Sequence, residues 1–319
     1  MLCILLIFSI LVLSETKYYM HNIKANFDKV LVITKNFLCN ELNSEGNIPR
    51  IGKKPKFSDS SLISLAITSE AMGIDSENHL FRELNSSYKN LFPDLIDRSQ
   101  YNVRRRKLQP YIDKVRQNIV QYLEKHEDVF SVDSMPIEVC RISRSGRCRL
   151  GKENYEKSPD KGFCASQGMY YYGYKLHCVC SLKGVIHSYD LTKASIHDIA
   201  YLQDVKQQFS NCLILGDKGY LSAEIQLDLF SSVNINLQTP LRINQKNFKP
   251  QPYIFRKTRK RIETIYSQLC DQFMIRRNYA KSVQGLFTRI ISKITAMTVL
   301  QYINVLTNKP IGHVKNAFA

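Results

Sequence analysis

The sequence predicts a mixed-sheet α/β fold that follows an all-helical N-terminal region, and three observations support this prediction. Residues 20–126 repeat apolar positions at helical spacing, whereas segments rich in Val and Ile alternate apolar and polar positions from about residue 128. Beyond that point, strand-like and helix-like segments follow one another, which favours a sheet covered by helices. With 319 residues, the chain is long enough for two domains.

The composition indicates a globular protein with an acidic partner. Hydrophobic residues make up 44% of the chain and charged residues 23%, which excludes a disordered polymer. Lys and Arg number 45 against 28 Asp and Glu, and the formal net charge is +17. Such a surplus favours nucleic acid as a partner first and a membrane surface second.

The first residues form a segment of their own. "MLCILLIFSILVL" is too short for an ordinary membrane span and has the length of a signal-peptide core, but no cation precedes it and no small-residue cleavage site follows. We therefore expect residues 1–19 to reflect a start codon assigned too early, and the working protein to begin at Met20 and to stay in the cytoplasm without stable membrane association. A genuine signal or anchor, or a buried N-terminal element, is the alternative.

Residues 20–126 are predicted to form a helical DNA-binding domain. "SDSSLISLAITSEAMG" begins with capping residues and ends at Gly73, and the next helix is predicted to begin at Asp75. A short basic helix after Pro93 contains the cluster Arg104, Arg105, Arg106 and Lys107. With so positive a net charge, we expect this cluster to contact phosphates, and a solvated helix face is the alternative.

Residues 127–319 are predicted to form the α/β domain. "DVFSVDSMPIEVCRI" alternates as a strand does, and "YYYGYKLHCVCSLKGVIHSYDLTKA" predicts a hairpin that turns at Lys183 and Gly184. A helix through "HDIAYLQDVKQQF", a buried strand "CLILGD", a helix through "SAEIQLDLFSSV" and a strand "NINLQTP" follow. "RKTRKRIETIYSQLC" predicts the next helix, and the apolar helix near "LFTRIISKITAMTVLQYINVL" is expected in the core.

Three carboxylates are predicted to lie near strand ends, where the active-site residues of α/β proteins usually lie. Asp133 closes the strand "FSVD", Asp217 closes "LILGD", and Glu263 lies on a later helix that Ile262 and Tyr266 would anchor against the sheet. Carboxylates without His or Cys suit Mg²⁺ or Mn²⁺, and two such ions can promote displacement at a phosphodiester. Taken singly, an Asp at a strand end is more often a turn or cap residue, so only the three together indicate chemistry.

Two further basic segments accompany these carboxylates. The segment after the first strand contains Arg141, Arg144, Arg147, Arg149 and Lys152, and the helix that bears Glu263 begins with Arg256, Lys257, Arg259, Lys260 and Arg261. Cations weaken the N-terminus of an isolated helix, but a phosphate backbone reverses the sign of that effect. We therefore predict DNA contacts for both segments, and a solvated loop is the alternative for the first.

Several other residues are secondary candidates. His177 and His197 are expected to be structural, and Asp198 is expected to cap the helix that follows it. The nine cysteines lack paired CxxC spacing and are predicted to be mostly buried, reduced thiols. A metal site formed by Cys140, Cys148, Cys164 and Cys178 is the weaker alternative. Of Tyr170, Tyr171, Tyr172 and Tyr174, at least half should be core residues, although such rings can stack on unpaired bases.

The order of the motifs "SVDSMPIEVC", "YYGYKLH", "LTKASIHD", "LILGDKGY" and "RKRIETIYSQL" resembles that of the bacterial insertion-sequence transposases with a DDE triad, in particular the IS982 group of the IS4/IS5-like set. The resemblance runs from about Phe27 to the C-terminus. It implies an RNase H-like mixed sheet flanked by helices, with Asp133, Asp217 and Glu263 as the three acids that hold two Mg²⁺ or Mn²⁺ ions. The activity it implies is cleavage at transposon ends followed by attack of the freed 3′ hydroxyl on target DNA.

The resemblance also implies double-stranded DNA as the partner, a homodimer on that DNA and a location at the bacterial nucleoid. The wider family often shows Tyr, Arg, Glu and Lys at Y-x2-R-x3-E-x6-K spacing around the third acid. Arg259 and Glu263 keep this spacing, but Arg256 occupies the Tyr position and Cys270 the Lys position. An RNase H-like nuclease without strand transfer and a non-catalytic copy that still binds DNA ends are the alternative functions.

Overall fold

The structure is a computed structural model that describes residues 22–152, 154–240, 253–277 and 279–319, and these residues fall into two compact units. The helical unit comprises the described residues of Met1–Leu123 together with Asp271–Arg277 and Phe287–Ala319. The sheet unit comprises the described residues of Glu124–Cys270 and Asn278–Leu286. The segment 1–19 lies outside the described residues. The division into functional domains at 20–126 and 127–319 stays a prediction, since packing groups the chain's last residues with the helical unit.

The helical unit contains five helices before residue 124 within the described part of the chain. They are α1 (Ile23–Phe37), α2 (Asp59–Ala71), α3 (Glu77–Ser87), α4 (Arg98–Lys107) and α5 (Gln109–Leu123). Side-chain oxygens of Asn22, Ser58 and Ser76 accept hydrogen bonds from the first turns of α1, α2 and α3. The cap of α3 is therefore Ser76 and not the predicted Asp75, because the Ser hydroxyl accepts the hydrogen bond from the N–H of His79.

The sheet unit is built on one mixed sheet, to which six strands contribute among the described residues. They are β1 (Val129–Cys140), β2 (Asp160–Cys164), β3 (Met169–Ser181), β4 (Ile186–Lys193), β5 (Cys212–Leu215) and β6 (Ile235–Gln238). The order is β2-β3-β1-β5-β6, with β4 also paired to β3. The pairings of β3 are antiparallel, whereas β1, β5 and β6 run parallel to one another.

The predicted hairpin is confirmed, with Gly184 in the turn between β3 and β4 at a φ of 87°. β2 was not predicted, because its sequence "DKGFC" combines charge and glycine. Gly162 belongs there for a steric reason, because a Cβ at this position would lie 2.5 Å from the carbonyl oxygen of Ala194.

Helices cover the sheet as predicted. They are α6 (Leu202–Gln208), α7 (Ala223–Val233) and α8 (Tyr253–Asp271), whereas most of the next helix, α9 (Val283–Leu306), belongs to the helical unit. One core cluster joins Phe130 and Val132 of β1 to Leu202 of α6 and Leu229 of α7. This mixed sheet with flanking helices and an N-terminal helical region confirms the predicted RNase H-like fold class. Among the described residues, no helix combines the length and the apolar character needed to cross a membrane.

Candidate active site

Asp133 lies within β1 and not at the end of a strand as predicted, because pairing with β3 continues the strand to Cys140. Phe130 and Val132 of this strand pack into the core cluster, so alternation of side chains along a strand directs Asp133 to the opposite face. Its Oδ1 atom accepts a hydrogen bond of 2.8 Å from the backbone N–H of Ser134. Its backbone carbonyl accepts a second hydrogen bond, of 2.6 Å, from the hydroxyl group of Tyr266 on α8. Both the side chain and the backbone of Asp133 are thereby held.

The register of two parallel strands brings Asp217 to the same level. Ser131 of β1 pairs with Leu215 of β5, and Asp133 and Asp217 each lie two residues beyond that pair. The Oδ1 atom of Asp217 accepts a hydrogen bond of 2.6 Å from the N–H of Gly219, which fixes the turn Lys218–Tyr220 that follows the strand. The structure thus brings two of the three predicted acids together at the carboxyl end of β5.

The electrostatic surroundings of Asp133 are those of an incompletely compensated carboxyl group. Burial raises its pKa to about 7, and the nearby negative charges of Asp217 and Asp198 act in the same direction. The N–H of Ser134 and the positive charge of Arg259 oppose the rise without cancelling it. Added positive charge at this point would stabilise the ionised pair, and oxygen donors of this kind suit a hard divalent cation.

Glu263 lies on the part of α8 that faces β1. It is exposed, and it follows Arg259 by four residues and precedes Tyr266 by three, so the three side chains form one stripe along the helix. Tyr266 bonds to the backbone of Asp133, and the charge of Arg259 acts on its carboxyl group. Nevertheless, no group of three or more His, Cys, Asp or Glu side chains that could hold a metal ion is found among the described residues. Among the described residues, Glu263 therefore does not form a metal-holding group with the aspartate pair.

Asp198 is the functional candidate that the sequence analysis misread. The cap of the turn Asp198–Tyr201 is the side chain of His197, whose Nδ1 accepts from the N–H of Ile199 at 3.3 Å, so the predicted capping role of Asp198 is wrong. The Oδ1 atom of Asp198 instead accepts hydrogen bonds from Ser134 Oγ at 3.1 Å and from Lys175 Nζ at 3.0 Å. The motifs "GYKLH" and "HD" contain two of these residues, but no local pattern shows that they meet.

His177 takes the structural position expected for it. Its ring is fully buried, stacks on Tyr201 with 4.8 Å between centroids, and places Nε2 2.8 Å from Thr192 Oγ1. Burial lowers the pKa of His177 to about 4, so the imidazole is neutral at physiological pH.

The first basic cluster divides between structural and exposed residues. Arg105 is only 3% exposed and pairs with Glu70 at 2.7 Å, so a phosphate contact would require that buried pair to open. Arg104 pairs with Asp59 at 2.7 Å, whereas Arg106 is half-buried and Lys107 is exposed at the end of α4.

The cations of the other two basic segments are more accessible. Arg141, Arg144, Arg147 and Arg149 are exposed in and around the turn Ile142–Arg147. On α8, Arg256, Lys257, Lys260 and Arg261 are exposed and Arg259 is half-buried. Lys257, Lys260 and Arg261 also line a cavity of about 410 Å³ beside Leu182.

The remaining candidates resolve as follows. Cys140, Cys148, Cys164 and Cys178 are free thiols, and the described residues include no cysteine-containing group that could hold a metal. Among the four tyrosines of β3, Tyr171 and Tyr174 are buried, Tyr172 is half-buried and Tyr170 is exposed, which agrees with the prediction that at least half are core residues.

Comparison with known proteins places this geometry in a family. The family model described as transposase DDE domain matches residues 124–299, a range that includes Asp133, Asp217 and Glu263. Searches of curated proteins and of solved structures return no significant match. The matched range is more than half of the 319 residues, and the chain therefore belongs to the transposase DDE domain family.

Proposed function

We propose that the protein is an insertion-sequence transposase that cleaves DNA at the ends of its element and joins the freed 3′ hydroxyl to target DNA. The observation that supports this most directly is that Asp133 and Asp217 lie at the same level of two adjacent parallel segments, within the range matched by the family. Membership in the family supports transposition as the process. Assignment to the IS982 group, a homodimer on DNA and a location at the nucleoid are further parts of the proposal.

The residues that would hold Mg²⁺ or Mn²⁺ are Asp133, Asp217 and Glu263. When bound, two such ions activate the attacking oxygen and stabilise the leaving oxygen of a phosphodiester. The chain itself supplies the oxygen donors and fixes two of them through the backbone N–H groups of Ser134 and Gly219. Tyr266 fixes α8, the helix that carries Glu263, against β1.

The proposed DNA surface of the sheet unit comprises Arg141, Arg144 and Arg147 from the turn after β1, and Arg256, Lys257, Arg259 and Lys260 from α8. In the helical unit, Arg104, Arg106 and Lys107 of α4 are further proposed DNA contacts. Arg105 is left out because it is buried against Glu70. Phosphate contacts of this kind position the DNA but do not read its sequence.

The decisive experiment incubates the full chain with DNA that flanks its own gene and with Mg²⁺. The parent should cut at the element ends, and Asp133→Asn and Glu263→Gln should each reduce cutting by at least about 100-fold, while DNA binding is retained. The matched control is Glu156→Gln, which removes an exposed carboxylate from the turn Tyr155–Lys157 of the same unit. A second assay supplies pre-cut ends and a target plasmid to measure joining.

Each alternative function has its own outcome in these assays. Cutting without joining would identify a nuclease and overturn the strand-transfer part of the proposal. Specific binding to the ends without cutting by the parent would identify a non-catalytic DNA-binding protein. Equal cutting by the parent and by Asp133→Asn would remove Asp133 from the site.

The DNA surface has a separate test in the salt dependence of binding. The logarithm of the DNA association constant falls linearly with the logarithm of the salt concentration. Replacing Lys257 and Lys260 together by Gln should make this slope less negative by about 1.8, because each phosphate contact on duplex DNA contributes about 0.9. The control replaces Lys125 and Lys315, which are exposed lysines outside the proposed surface. Equal slopes in the two variants would contradict the proposed contacts of α8.

A further inference from the structure

One carboxylate beside the aspartate pair has no role in the function proposed above. Asp198 follows β4, and its Oδ1 atom accepts hydrogen bonds from Ser134 Oγ at 3.1 Å and from Lys175 Nζ at 3.0 Å. The ammonium group of Lys175 also donates to the carbonyl of Ile196 at 2.8 Å. The side chains of Lys175 and Asp198 are 15% and 26% exposed, so solvent only partly competes for these bonds.

The contacts of Asp198 connect it to Asp133 through one residue. The hydroxyl of Ser134 donates to Asp198, and the backbone N–H of the same Ser134 donates to Asp133 Oδ1 at 2.8 Å. The residue whose amide orients Asp133 is therefore itself held by Asp198. Loss of that hold would free the Ser134 side chain and change the surroundings of the amide that supports the Asp133 carboxylate, while the ladder between β1 and β3 keeps the backbone in place.

A second connection leads from Asp198 to Asp217. A Cβ built on Gly219 would lie 3.5 Å from Asp198 Oδ2 and 2.9 Å from Asp217 Oδ1, so both carboxylates border the same glycine. The N–H of this glycine is the group that donates to Asp217 Oδ1 at 2.6 Å. Asp198 thus stands beside the backbone supports of both aspartates of the pair.

The partner of Asp198 distinguishes a supporting role from a metal-binding role. Lys175 already neutralises Asp198 at 3.0 Å, and its ammonium group and the Ser134 hydroxyl both bond to Oδ1. Asp133 and Asp217 have no such lysine or arginine ion pair among the described residues. A neutralised carboxylate that accepts hydrogen bonds from the supports of metal ligands is suited to orienting those ligands.

We infer that Asp198, held by Lys175, is a positioning residue that orients Asp133 through Ser134 and borders the turn that orients Asp217. The inference rests on the proposed function, since it assigns Asp198 to the same metal-dependent site. Groups that orient metal ligands typically change metal affinity or activity by about 10- to 100-fold when they are replaced.

The test compares Asp198→Asn and Lys175→Met with the parent in two readouts, Mn²⁺ binding by calorimetry and Mg²⁺-dependent cutting of end DNA. Both variants should weaken Mn²⁺ binding by about 10-fold and raise the Mg²⁺ concentration needed for half-maximal cutting, while DNA affinity stays within about twofold of the parent. The matched control is Asp228→Asn, which breaks the exposed pair between Lys206 and Asp228 at 2.8 Å in the same unit. This control should leave both readouts unchanged.

A milder pair of variants guards against loss of folding. Ser134→Ala removes one hydrogen bond to Asp198 and should weaken Mn²⁺ binding in the same direction, whereas Ser134→Thr keeps the hydroxyl and should restore it. A merely structural role would lower the melting temperature of Ser134→Ala without changing the Mn²⁺ affinity of the folded protein, and that result would overturn the inference.

Two further outcomes would also overturn it. Unchanged Mn²⁺ affinity in Asp198→Asn would show that Asp198 does not orient the site, and tighter Mn²⁺ binding in Lys175→Met would identify Asp198 as a ligand. If the parent binds Mn²⁺ but cuts no DNA, the proposed function fails, and the calorimetric comparison still decides the role of Asp198.

Discussion

Replacing Lys293 by Met tests whether a buried charge network stabilises the helical unit. Glu70 is 2% exposed, and its two oxygens accept hydrogen bonds from Lys293 Nζ at 2.5 Å and from Arg105 at 2.7 Å. Lys293 also donates to the carbonyl of Phe273 at 2.6 Å. Methionine keeps most of the apolar stem but removes both of these bonds.

The expected loss of unfolding free energy follows from the charge of Glu70, which Lys293→Met leaves buried. Breaking a buried ion pair by removing one partner costs about 3 to 5 kcal/mol, because the remaining charge stays buried without compensation. Arg105 still pairs with Glu70, so we expect the lower end, about 3 kcal/mol of unfolding free energy at pH 7.

The loss of stability in Lys293→Met should be larger at neutral pH than at acidic pH. Burial raises the pKa of Glu70, but the charges of Lys293, Arg105 and Arg289 more than offset this and hold it below its ordinary value. A carboxyl group with a lowered folded pKa stabilises the protein above its unfolded pKa, and this stabilisation is lost as the pH falls through the folded pKa. The difference between parent and Lys293→Met should therefore be largest near pH 7 and should shrink below about pH 4.5.

Urea unfolding followed by circular dichroism at pH 7 and pH 4 measures both effects. Lys206→Met is the matched control, because Lys206 pairs with Asp228 in an exposed position where such a pair contributes less than about 1 kcal/mol. A loss in Lys293→Met no larger than in this control would refute the reasoning. Adding Glu70→Gln to Lys293→Met should recover part of the loss, because the uncompensated charge is then removed.

Three further predictions concern the sheet unit. Tyr266→Phe should lower the free energy of unfolding by about 1 to 3 kcal/mol, because it removes the hydroxyl that donates to the carbonyl of Asp133, and it should also reduce DNA cutting. A urea midpoint and a cutting rate equal to the parent's would contradict this. Burial lowers the pKa of His177 to about 4, so the neutral imidazole stabilises the fold above pH 6.5. About 2 to 3 kcal/mol of unfolding free energy should therefore be lost between pH 7.5 and pH 4.5. His177→Gln should flatten this part of the plot of stability against pH, and a plot parallel to the parent's would disprove the assignment. Gly219→Ala should weaken Mn²⁺ binding, since the new Cβ would lie 2.9 Å from Asp217 Oδ1; unchanged calorimetry would show that the turn adapts.

Much of the fold was predictable because its signals are local. Helical periodicity, capping serines and the Gly184 turn each act within a few residues, so they can be read without knowing the rest of the chain. β2 could not be predicted because the interactions that stabilise it are not local. It is stabilised by pairing with β3, which occurs only once the sheet has formed, and its own sequence lacks a strand pattern.

The burial of individual residues within a predicted basic cluster could not be predicted from the local sequence either. A run of cations looks alike in sequence whether it faces solvent or the interior. Arg105 is buried because Glu70 and Glu77 lie opposite it in the folded unit, while Lys107, two residues later, is exposed. The positions of acids in other helices decide this difference, and no feature within the run itself reports it.

By itself, the sequence determined that this protein alternates strands and helices after a helical region, and that Asp133 and Asp217 are the first charged residues after apolar runs. The period of the apolar residues and the first charged interruption of each strand are properties of short segments. The tertiary structure alone decided that β1 and β5 pair in a register that sets the two aspartates level, and that Asp198 meets Lys175 and Ser134 beside them. Strand register and long-range ion pairs depend on the free energy of the whole packed sheet, so residues more than 20 positions apart find one another only when that sheet forms.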